Sequence, residues 1–580
     1  MNGRTLAFLS NDTCPGDLFS PEDLDGEQKL LSGIVDDFVK GEVQPRMEEL
    51  EHKTPDVLEK VLAQAADLGL LGIDVPEAFG GMGLDHVSSL VITERILRGG
   101  PFGLTQVVHT AFGTIPVLYF GDEAQKRRWL PDLATGRKIG AYALTESDAG
   151  SDARQIGSQA SLSGDEASYV LNGEKQFTSN SGIANVFTVF AKIDGERFSA
   201  FLVDGGSKGI SLNEEEKKMG IRGSSTRGIL FDNVVVPREE VVLSPGAGQS
   251  VAFNTLSIGR HRLAGACLGI AKQAFEESVR YSKTRRQFGR PISAFGMVRQ
   301  KIAEMAVRVF VAEGVLYRTA HVLDGAIAGL DLSSSVGFEA AERIKRCAAD
   351  CAIDKVYASE MLKVVADEAL QIHGGYGYIE DYPIERYYRD ARIYRIFGGT
   401  NEINRLLIAK TMLAGAATSK GGRSPNVGTA ADDSGGSGVL AEQANLVERT
   451  KAMARSLLDA VRDISSGIEQ QSEVMGLLAD ILIETYAMET CLLRAQKTHE
   501  RWGAPKSDIP ALLTAAYIDE STAHVERWAQ IVAAAAHGSS TAGLAKEGIE
   551  RLRNRPRIDM LASHRQIAEF FLDTGRYFIC

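Results

Sequence analysis

The chain has 580 residues, of which 44% are hydrophobic and 24% are charged, and its formal net charge is −12. This composition is typical of a soluble globular protein, and the length requires several cores because single domains rarely exceed about 250–300 residues. The acidic balance argues against a nucleic-acid-binding protein, since phosphate recognition needs a basic surface.

The cysteines and the N-terminus give further expectations about the compartment. Six sparse cysteines show no metal-ligand spacing, so we expect neither a disulfide framework nor a metal site. Residues 1–21 contain no signal or transit pattern, and no apolar stretch reaches the about 18 residues that a membrane span needs. We therefore predict a cytoplasmic protein.

The first half of the chain changes character once. In residues 22–139, apolar residues recur at helical spacing, which predicts an N-terminal helical domain. Residues 140–245 contain short β-rich runs separated by turn residues, which predicts a middle β domain. Within it, Asn172–Gly173 and Asp204–Gly205 have the composition of hairpin turns.

The second half is predicted to be helical, with one interruption. Long helical blocks with short connections in residues 246–415 predict a helical bundle. Residues 416–438 are rich in Gly, Ser, Ala, Thr and Asp, and are predicted to be a flexible linker. Residues 439–580 have helical periodicity again, which predicts a C-terminal helical domain. The predicted fold class is therefore α+β multidomain.

Two glycine-rich turns, residues 371–378 and 395–405, each join one helical pattern to the next. Glycine allows the backbone to come close to a flat or charged group, so such turns often serve a site. Plain helix caps between packed helices have the same composition. The turns taken alone leave both interpretations open.

Five segments, in order along the chain, resemble signatures of the acyl-CoA dehydrogenases. They are 141–152 (AYALTESDAGSD), 175–180 (KQFTSN), 285–289 (RRQFG), 371–377 (QIHGGYG) and 397–405 (FGGTNEINR). The helical region beyond the linker, together with Gly259 before Arg260, resembles the very-long-chain subgroup. The resemblance implies an acyl-CoA dehydrogenase-like fold with a helical N-domain, a β middle domain, a helical bundle and an appended C-terminal helical domain.

The same resemblance implies FAD as the cofactor and an acyl-CoA as the substrate. A flavin carries the redox chemistry, while the protein supplies orientation and electrostatics. The implied cofactor-binding residues are Tyr142, Leu144, Thr145, Ser151, Phe177, Ser179, Arg285, Gln287, Phe288, Gln371, Gly374, Gly375, Thr400 and Glu402. The implied substrate-binding residues are Ser151, Arg260 and Phe397.

Some of these residues also have purely structural interpretations. Phe177 fits the core of the β domain, and Ser151 fits the chemistry of a tight turn. Arg285 belongs to a basic run that is consistent with a solvated helix end. Glu402 fits a first-turn carboxylate that is favoured by the helix dipole. The motifs around these residues favour the cofactor interpretation.

The resemblance also implies partners. In the family, the first glycine turn approaches the adenosine half of a FAD held mainly by the neighbouring subunit, so we expect a homodimer. An electron-transferring flavoprotein is the expected electron acceptor. Peripheral membrane contact is a further hypothesis, because Lys451, Arg455 and Arg462 lie among apolar residues, although a packing helix with a solvated face has the same pattern.

The position of the family's catalytic base is the main departure. The catalytic carboxylate normally precedes the Gly-Thr of the second glycine turn, where this chain has Gly398. The alternative base position of some members is Gly259 here. A positioned base typically contributes about 10²–10⁴-fold to the rate. Glu402 lies inside the following helix, and we do not expect it to replace the base.

We therefore predict an oxidoreductase of fatty acid β-oxidation that converts long-chain acyl-CoA to trans-2-enoyl-CoA with FAD. Its usual base position is occupied by Gly398, so either another carboxylate reaches the site or ordinary dehydrogenation is lost. Two alternatives stay open: a catalytically silent FAD- and acyl-CoA-binding or assembly protein, and a different flavin chemistry, such as an oxidase or lyase, on the same fold.

Overall fold

The computed structural model describes residues 7–9, 13–418, 440–464, 471–536, 539 and 541–577. The described chain runs from a group of helices through a β-sheet to two further groups of helices, which confirms the predicted fold class. None of the described helices is long and apolar enough to cross a membrane. Residues 419–438 of the predicted linker lie outside the described residues.

Most of the first group of helices packs into one core with the bundle that follows the sheet, whereas the last two helices of the group share a second core with part of the sheet. The helices of this first group are α1 (Gly26–Phe38), α2 (Met47–Glu51), α3 (Val57–Asp67), α4 (His86–Ile96), α5 (Pro101–Val107), α6 (Ile115–Phe120) and α7 (Glu123–Ala134). Asp25 caps the N-terminus of α1, because its carboxylate accepts a hydrogen bond from the backbone N–H of Gln28. Helix α5 is buried along its whole length, so it lies inside the molecule.

A π-helical turn, Val108–Thr114, joins α5 to α6 and crosses the first strand of the sheet, β1 (Gly140–Ala143). Gly113 and Gly140 meet at this crossing, where a Cβ atom on Gly113 would lie 2.5 Å from the carbonyl carbon of Gly140. Only glycine permits so close an approach of two backbones. The crossing places Phe112, the neighbour of Gly113, beside β1.

The sheet has seven strands, and those that follow β1 are β2 (Gln159–Leu162), β3 (Ser168–Ser179), β4 (Val186–Ile193), β5 (Arg197–Asp204), β6 (Ile210–Leu212) and β7 (Thr226–Pro237). Their order in the sheet is β1-β4-β2-β3-β7-β6, with β5 paired to β4. Strand β4 pairs with β1 and β2 in parallel, and the other pairs are antiparallel. Phe187, Phe201 and Phe231 are buried in a core that belongs to the sheet itself.

The prediction of two hairpin turns in this domain is wrong. Asn172–Gly173 lies inside β3 at a β-bulge opposite β7, and a Cβ atom on that glycine would lie 2.3 Å from Ser158 Oγ. Asp204–Gly205 lies at the end of β5, but the next strand, β6, pairs with β7 and not with β5. The hairpin between β4 and β5 turns at Asp194–Gly195, where both residues have positive φ.

The elements of the bundle are α8 (Gly248–Thr284), the short hairpin β8 (Arg286–Gln287) and β9 (Arg290–Pro291), α9 (Gly296–Ile327), α10 (Gly337–Lys345), α11 (Ala348–His373), α12 (Ile384–Ala391) and α13 (Asn401–Thr418). Helix α13 therefore continues into residues 416–418, which were predicted as linker. The long helix α8 lies at the centre of the bundle and packs against α4, α9 and α11. A Cβ atom on Gly269 would lie 2.0 Å from the carbonyl oxygen of Glu94, so α8 and α4 touch through their backbones.

The last group of helices packs on the bundle and shares its core. These helices are α14 (Ala441–Asp463), α15 (Ser472–Trp502), α16 (Asp508–Ala535), α17 (Ala542–Arg553) and α18 (Met560–Thr574). Arg494 of α15 joins three parts of the chain, because its Nη2 lies 2.6 Å from a carboxylate oxygen of both Glu22 and Glu313. All three side chains are buried, so this contact belongs to the interior.

Candidate active site

A cavity of about 210 Å³ opens between the sheet and the bundle, and we name it the main cavity. One wall comes from β1, the loop after it and β3, and the other from α8 and the second glycine turn. The predicted site residues that line it are Tyr142, Leu144, Thr145, Ser151, Phe177, Ser179, Arg260, Phe397 and Gly398. The fold thus brings residues of distant sequence segments to one place.

The loop after β1 is held against β3 by an ion pair between a buried lysine and a half-buried glutamate. Lys175 Nζ lies 2.5 Å from Glu146 Oε1, and it also donates to the carbonyl oxygen of Leu144 at 3.3 Å. Burial lowers the pKa of Lys175 to about 8, against the opposing effect of Glu146. Burial alone would raise the pKa of Glu146, but the Lys175 charge and hydrogen bonds from Ser158 and Gly157 outweigh it and lower that pKa. The pair fixes the backbone at the cavity wall.

Phe177 presents an aromatic face at the cavity. It lies at an irregularity of β3 with φ +54°, and its side chain is 61% exposed. A bulky residue in the left-handed region costs about 1–3 kcal/mol, and such strain is concentrated at functional sites. The alternative interpretation of Phe177 as part of the β core is therefore wrong. Ser179 ends the same strand and lines the same wall.

The aromatic pair Phe112 and Tyr142 forms a further part of the wall, with ring centroids 6.0 Å apart. Phe112 fills the space over Gly259, since a Cβ atom on that glycine would lie 2.3 Å from Phe112 Cζ. The hydroxyl of Tyr142 donates to the carbonyl oxygen of Ala252 at 3.2 Å. Burial raises the pKa of Tyr142 well above its ordinary value, so the phenol stays neutral at physiological pH.

Arg260 and Gly398 meet where α8 approaches the second glycine turn. Arg260 Nε donates to the carbonyl oxygen of Gly398 at 2.9 Å. Gly398 and Gly399 have φ values of +67° and +84°, which glycine adopts without strain. Behind the turn, Lys355 Nζ donates to the carbonyl oxygen of Gly399 at 2.8 Å and to Asn401 Oδ1 at 2.7 Å. Basic side chains thus hold the turn from two helices.

Neither expected base position carries a carboxylate, and no Asp or Glu is present among the described residues that line the main cavity. Glu402 is exposed and lies outside this lining. A Cβ atom at position 398 would lie 2.9 Å from Leu263 Cδ1, whereas one at position 259 would collide with the Phe112 ring. The described wall therefore offers no side-chain carboxylate to a ligand proton.

A second cavity, of about 510 Å³, lies where the first glycine turn faces the end of α8, and we name it the second cavity. The Arg285 guanidinium lies over the ring of Tyr376, 5.2 Å from its centroid. A Cβ atom on Gly374 or Gly375 would have no atom within 4 Å, so this backbone faces open space. The predicted site residues that line this cavity are Arg285, Gln287, Gly374 and Gly375.

The remaining predicted residues, Phe288, Gln371, Thr400 and Glu402, line neither cavity. Phe288 is 92% exposed and has φ +51° in the short hairpin. Thr400 is half-buried, and its hydroxyl accepts a hydrogen bond from the backbone N–H of Ile403 at 3.3 Å. Thr400 therefore has the contact of an N-cap of α13. Their cofactor roles stay predictions.

The main cavity also contains residues that no motif had indicated. The main ones are Val108, Phe112, Phe253, Leu256 and Leu263. Leu256 and Leu263 lie four residues before and three residues after Arg260 on α8, so helical spacing from Arg260 could have indicated them. Val108 and Phe112 come from the π-helical turn, and only the tertiary crossing at Gly113 brings them here.

Comparison with protein-family models gives a match along most of the chain. Models described as the acyl-CoA dehydrogenase N-terminal, middle and C-terminal domains match residues 25–137, 141–234 and 246–413. A further model, also described as an acyl-CoA dehydrogenase C-terminal domain, matches residues 453–544. The appended helices thus have a counterpart in other proteins.

Individual relatives agree with these matches. A probable acyl-CoA dehydrogenase of Bacillus subtilis is 39% identical, with 90% of each chain covered. The human mitochondrial short-chain specific acyl-CoA dehydrogenase is 35% identical over 68% of this chain and 92% of its own. The structure of an acyl-CoA dehydrogenase complexed with FAD from Bacillus anthracis is 37% identical and covers 99% of both chains with a TM-score of 0.94. The chain belongs to the acyl-CoA dehydrogenase family.

Proposed function

We propose that the protein is a FAD-dependent oxidoreductase that oxidises an acyl-CoA to the trans-2-enoyl-CoA. The observation that carries this proposal is the main cavity, where Leu144, Thr145 and Phe177 of the implied flavin site face Arg260 and Phe397 of the implied substrate site. A cofactor and a substrate that share one cavity can react directly, without a mobile carrier between two sites.

The residues present fit FAD. The exposed ring of Phe177 suits a flat ring system, and the ion pair behind Thr145 keeps the neighbouring backbone in place. Arg285 suits a phosphate group, and the uncovered backbone of Gly374 and Gly375 permits close approach of a ligand. When bound, FAD would supply the two-electron redox chemistry.

The chain's own residues would bind and orient the substrate. Phe112 and Phe397 provide apolar surface, and Arg260 keeps Gly398 at the cavity wall through its hydrogen bond. The described wall has no carboxylate to accept the α-proton. This observation supports a second candidate function, a flavoprotein that binds acyl-CoA without oxidising it, and it is also consistent with a different flavin chemistry.

The long-chain acyl group implied by the subgroup resemblance stays a prediction, and Phe112 is the residue on which it depends. The main cavity of about 210 Å³ is smaller than the roughly 300–1,000 Å³ of typical ligand pockets. The flavin would share this volume with the acyl group, and the Phe112 ring, which lies on Gly259, narrows the substrate side of the cavity.

We also propose a homodimer and an electron-transferring flavoprotein as the electron acceptor. The side chains of Phe288, Met297 and Tyr378 are 92%, 77% and 85% exposed, and exposed apolar surface of this kind often marks an interface. Membrane contact has less support, because Lys451 is buried and its Nζ lies 2.7 Å from Glu489 Oε1. That cation is therefore not available to a lipid surface.

Anaerobic titration of the purified, flavin-loaded protein with butyryl-CoA and palmitoyl-CoA tests the proposal. We expect slow bleaching of the oxidised flavin band, with the chain-length preference set by Phe112. A perturbed band without bleaching would favour the silent binder, and turnover that depends on oxygen would favour an oxidase. A protein that purifies without flavin and takes none up would contradict all three functions. Sedimentation of the same sample tests the homodimer.

A further inference from the structure

Among the buried arginines of the described residues, Arg260 differs in having no carboxylate partner. Arg262, Arg494 and Arg555 are buried, and each forms an ion pair with at least one carboxylate. A buried lysine can release its proton instead, as the lowered pKa of Lys355 indicates, but a guanidinium stays charged. Arg260 is only 6% exposed, yet no carboxylate lies within 4.0 Å of its guanidinium in the part of the chain that the structure describes. Because burying an unpaired charge is costly, the main cavity contains a cation that lacks a counter-charge.

The electrostatics of the second glycine turn strengthen this point. Burial lowers the pKa of Arg260 to about 10, and the neighbours that act on its charge are Cys351 and Tyr142 rather than an acid. Lys355 lies on the other side of the turn, and the N-terminus of the 18-residue helix α13 follows it. A helix N-terminus carries partial positive charge, so Arg260 and this helix end both direct positive potential at Gly398 and Gly399, and Lys355 adds to it when it is protonated.

The space beside the guanidinium is open to a ligand. Arg260 lines the main cavity, and its Nη2 would lie 3.5 Å from a Cβ atom on Gly399, a position that has no side chain. A guanidinium binds a carboxylate with two parallel hydrogen bonds. Phe112, Leu256 and Phe397 make the rest of this wall apolar, so the anion that fits is attached to a hydrocarbon group.

We propose that the main cavity accepts an acyl thioester that carries a carboxylate on its α-carbon, and that Arg260 pairs with that carboxylate. The α-carbon is assigned because Arg260 contacts Gly398, the position at which the resemblance implies a base for the α-proton, and glycine has no side chain there. The carboxylate of the substrate would then supply the negative charge that this position lacks. The inference rests on the proposed function, since it needs the acyl-CoA site.

Calorimetric titration of the flavin-loaded protein compares two ligands that differ only in the α-carboxylate, ethylmalonyl-CoA and butyryl-CoA. We expect ethylmalonyl-CoA to bind about 10- to 100-fold more tightly, the usual range for a hydrogen bond to a charged group. Glutaryl-CoA, with its carboxylate at the far end of the chain, should gain nothing over butyryl-CoA.

Two variants assign the preference to Arg260. Arg260→Met removes the charge and should abolish the preference, while Gly398→Glu places an internal carboxylate beside the guanidinium and should abolish it without touching Arg260. The affinity for butyryl-CoA, measured in each variant, reports whether the cavity is still intact. If Arg260→Met no longer binds butyryl-CoA, the affinities of Gly398→Glu for the two thioesters decide whether the preference depends on Arg260.

The possible failures can be distinguished from one another. Equal affinities for ethylmalonyl-CoA and butyryl-CoA in the unmodified protein, or a preference that survives Arg260→Met, would overturn the inference and leave the proposed function standing. An equal gain for glutaryl-CoA would overturn the assignment to the α-carbon. Failure of all three thioesters to bind would overturn the proposed function together with the inference.

Discussion

Gly259 and Phe112 touch so closely that a Cβ atom on Gly259 would lie 2.3 Å from Phe112 Cζ. Real Cβ atoms do not approach another heavy atom to this distance, so any larger residue at position 259 must displace the ring. Phe112 is itself held in place by the crossing of Gly113 with Gly140. The alternative base position of the family is therefore closed by an aromatic side chain from another domain.

The contact predicts that Gly259→Glu needs a second change in order to be tolerated. Alone, it should destabilise the protein, by about 1–3 kcal/mol or more, because it overpacks the core. Combined with Phe112→Ala, the glutamate gains the space of the ring, and the double variant should be more stable than the sum of the single effects. Thermal unfolding of the two single variants and the double variant measures this coupling.

The same double variant tests catalysis. Butyryl-CoA should reduce the flavin of the Gly259→Glu, Phe112→Ala protein faster than the flavin of the Gly259→Gln, Phe112→Ala protein. The second protein is the matched control, because glutamine has nearly the shape of glutamate but no charge. Equal rates in these two proteins would show that a carboxylate at position 259 cannot act as a base. Phe112→Ala alone should shift the binding preference towards palmitoyl-CoA, since it removes the ring that limits the cavity.

Position 398 should accept a base more readily. A glutamate there must adopt a left-handed conformation, φ +67°, at a cost of about 1–2 kcal/mol, and must displace only the end of the Leu263 side chain. We expect Gly398→Glu to raise the rate of flavin reduction by about 10²–10⁴-fold if only the base is missing. Gly398→Ala carries the same strain without the carboxylate and should show no gain. If Gly398→Glu does not raise the rate of flavin reduction, the hypothesis that only the base is missing is wrong.

The fold class was predictable because helical periodicity and β-rich runs are local properties of the sequence. Local composition failed at Asn172–Gly173, where the sheet continues through a dipeptide that usually turns. The glycine there serves close contact with Ser158 instead of chain reversal. Such a contact depends on a distant strand, and no short segment encodes it.

The residues that line the main cavity divide in the same way, into those that a local motif indicates and those that only the tertiary structure brings there. Residues of contiguous motifs, such as Thr145, Phe177 and Gly398, could be named from the sequence, and they line one cavity. Phe112 could not, because it reaches this cavity only through the crossing of a π-helical turn with β1. The unpaired state of Arg260 was equally unpredictable, since it depends on every carboxylate around it.

Phe177 offers a direct test of cofactor binding. Phe177→Ala should weaken FAD retention by about 3- to 10-fold, because aromatic stacking contributes about 0.5–1.5 kcal/mol beyond burial. Phe177→Trp keeps an aromatic face and should retain FAD. Met219→Ala, at an exposed apolar residue that lines neither cavity, serves as the surface control. Flavin absorbance per protein after dialysis is the measurement, and unchanged retention in the alanine variant would contradict the assigned role.

The attachment of the last helices depends on Arg494. Arg494→Met leaves Glu22 and Glu313 buried without this partner, so we expect a loss of about 3–5 kcal/mol in unfolding free energy. Arg501→Met is the matched control, because Arg501 pairs with Asp23 at the surface, where such pairs contribute about 0–1 kcal/mol. Urea denaturation compares the two. Similar losses of unfolding free energy in both variants would show that the buried contacts of Arg494 contribute no more to stability than a surface ion pair does.

Lys355 gives a prediction for pH. Burial lowers the pKa of Lys355 from 10.5 to about 7. Between pH 7 and pH 10.5, Lys355 carries a proton in the unfolded chain but not in the folded chain. The free energy of unfolding therefore rises with pH in this range because of Lys355, and Lys355 does not change it with pH below about 7. The folded protein keeps both hydrogen bonds of Lys355, to Gly399 and Asn401, because a neutral amine still has two N–H groups to donate.

Lys355→Met removes this contribution. The difference in unfolding free energy between the unmodified protein and the variant should therefore increase in favour of the unmodified protein from pH 7 to pH 10, as measured by urea denaturation. Lys60→Met, at an exposed position, controls for the loss of any lysine. A difference that stays constant with pH would mean that Lys355 keeps its proton when buried, and that the turn at Gly398 lies in the field of a permanent second cation.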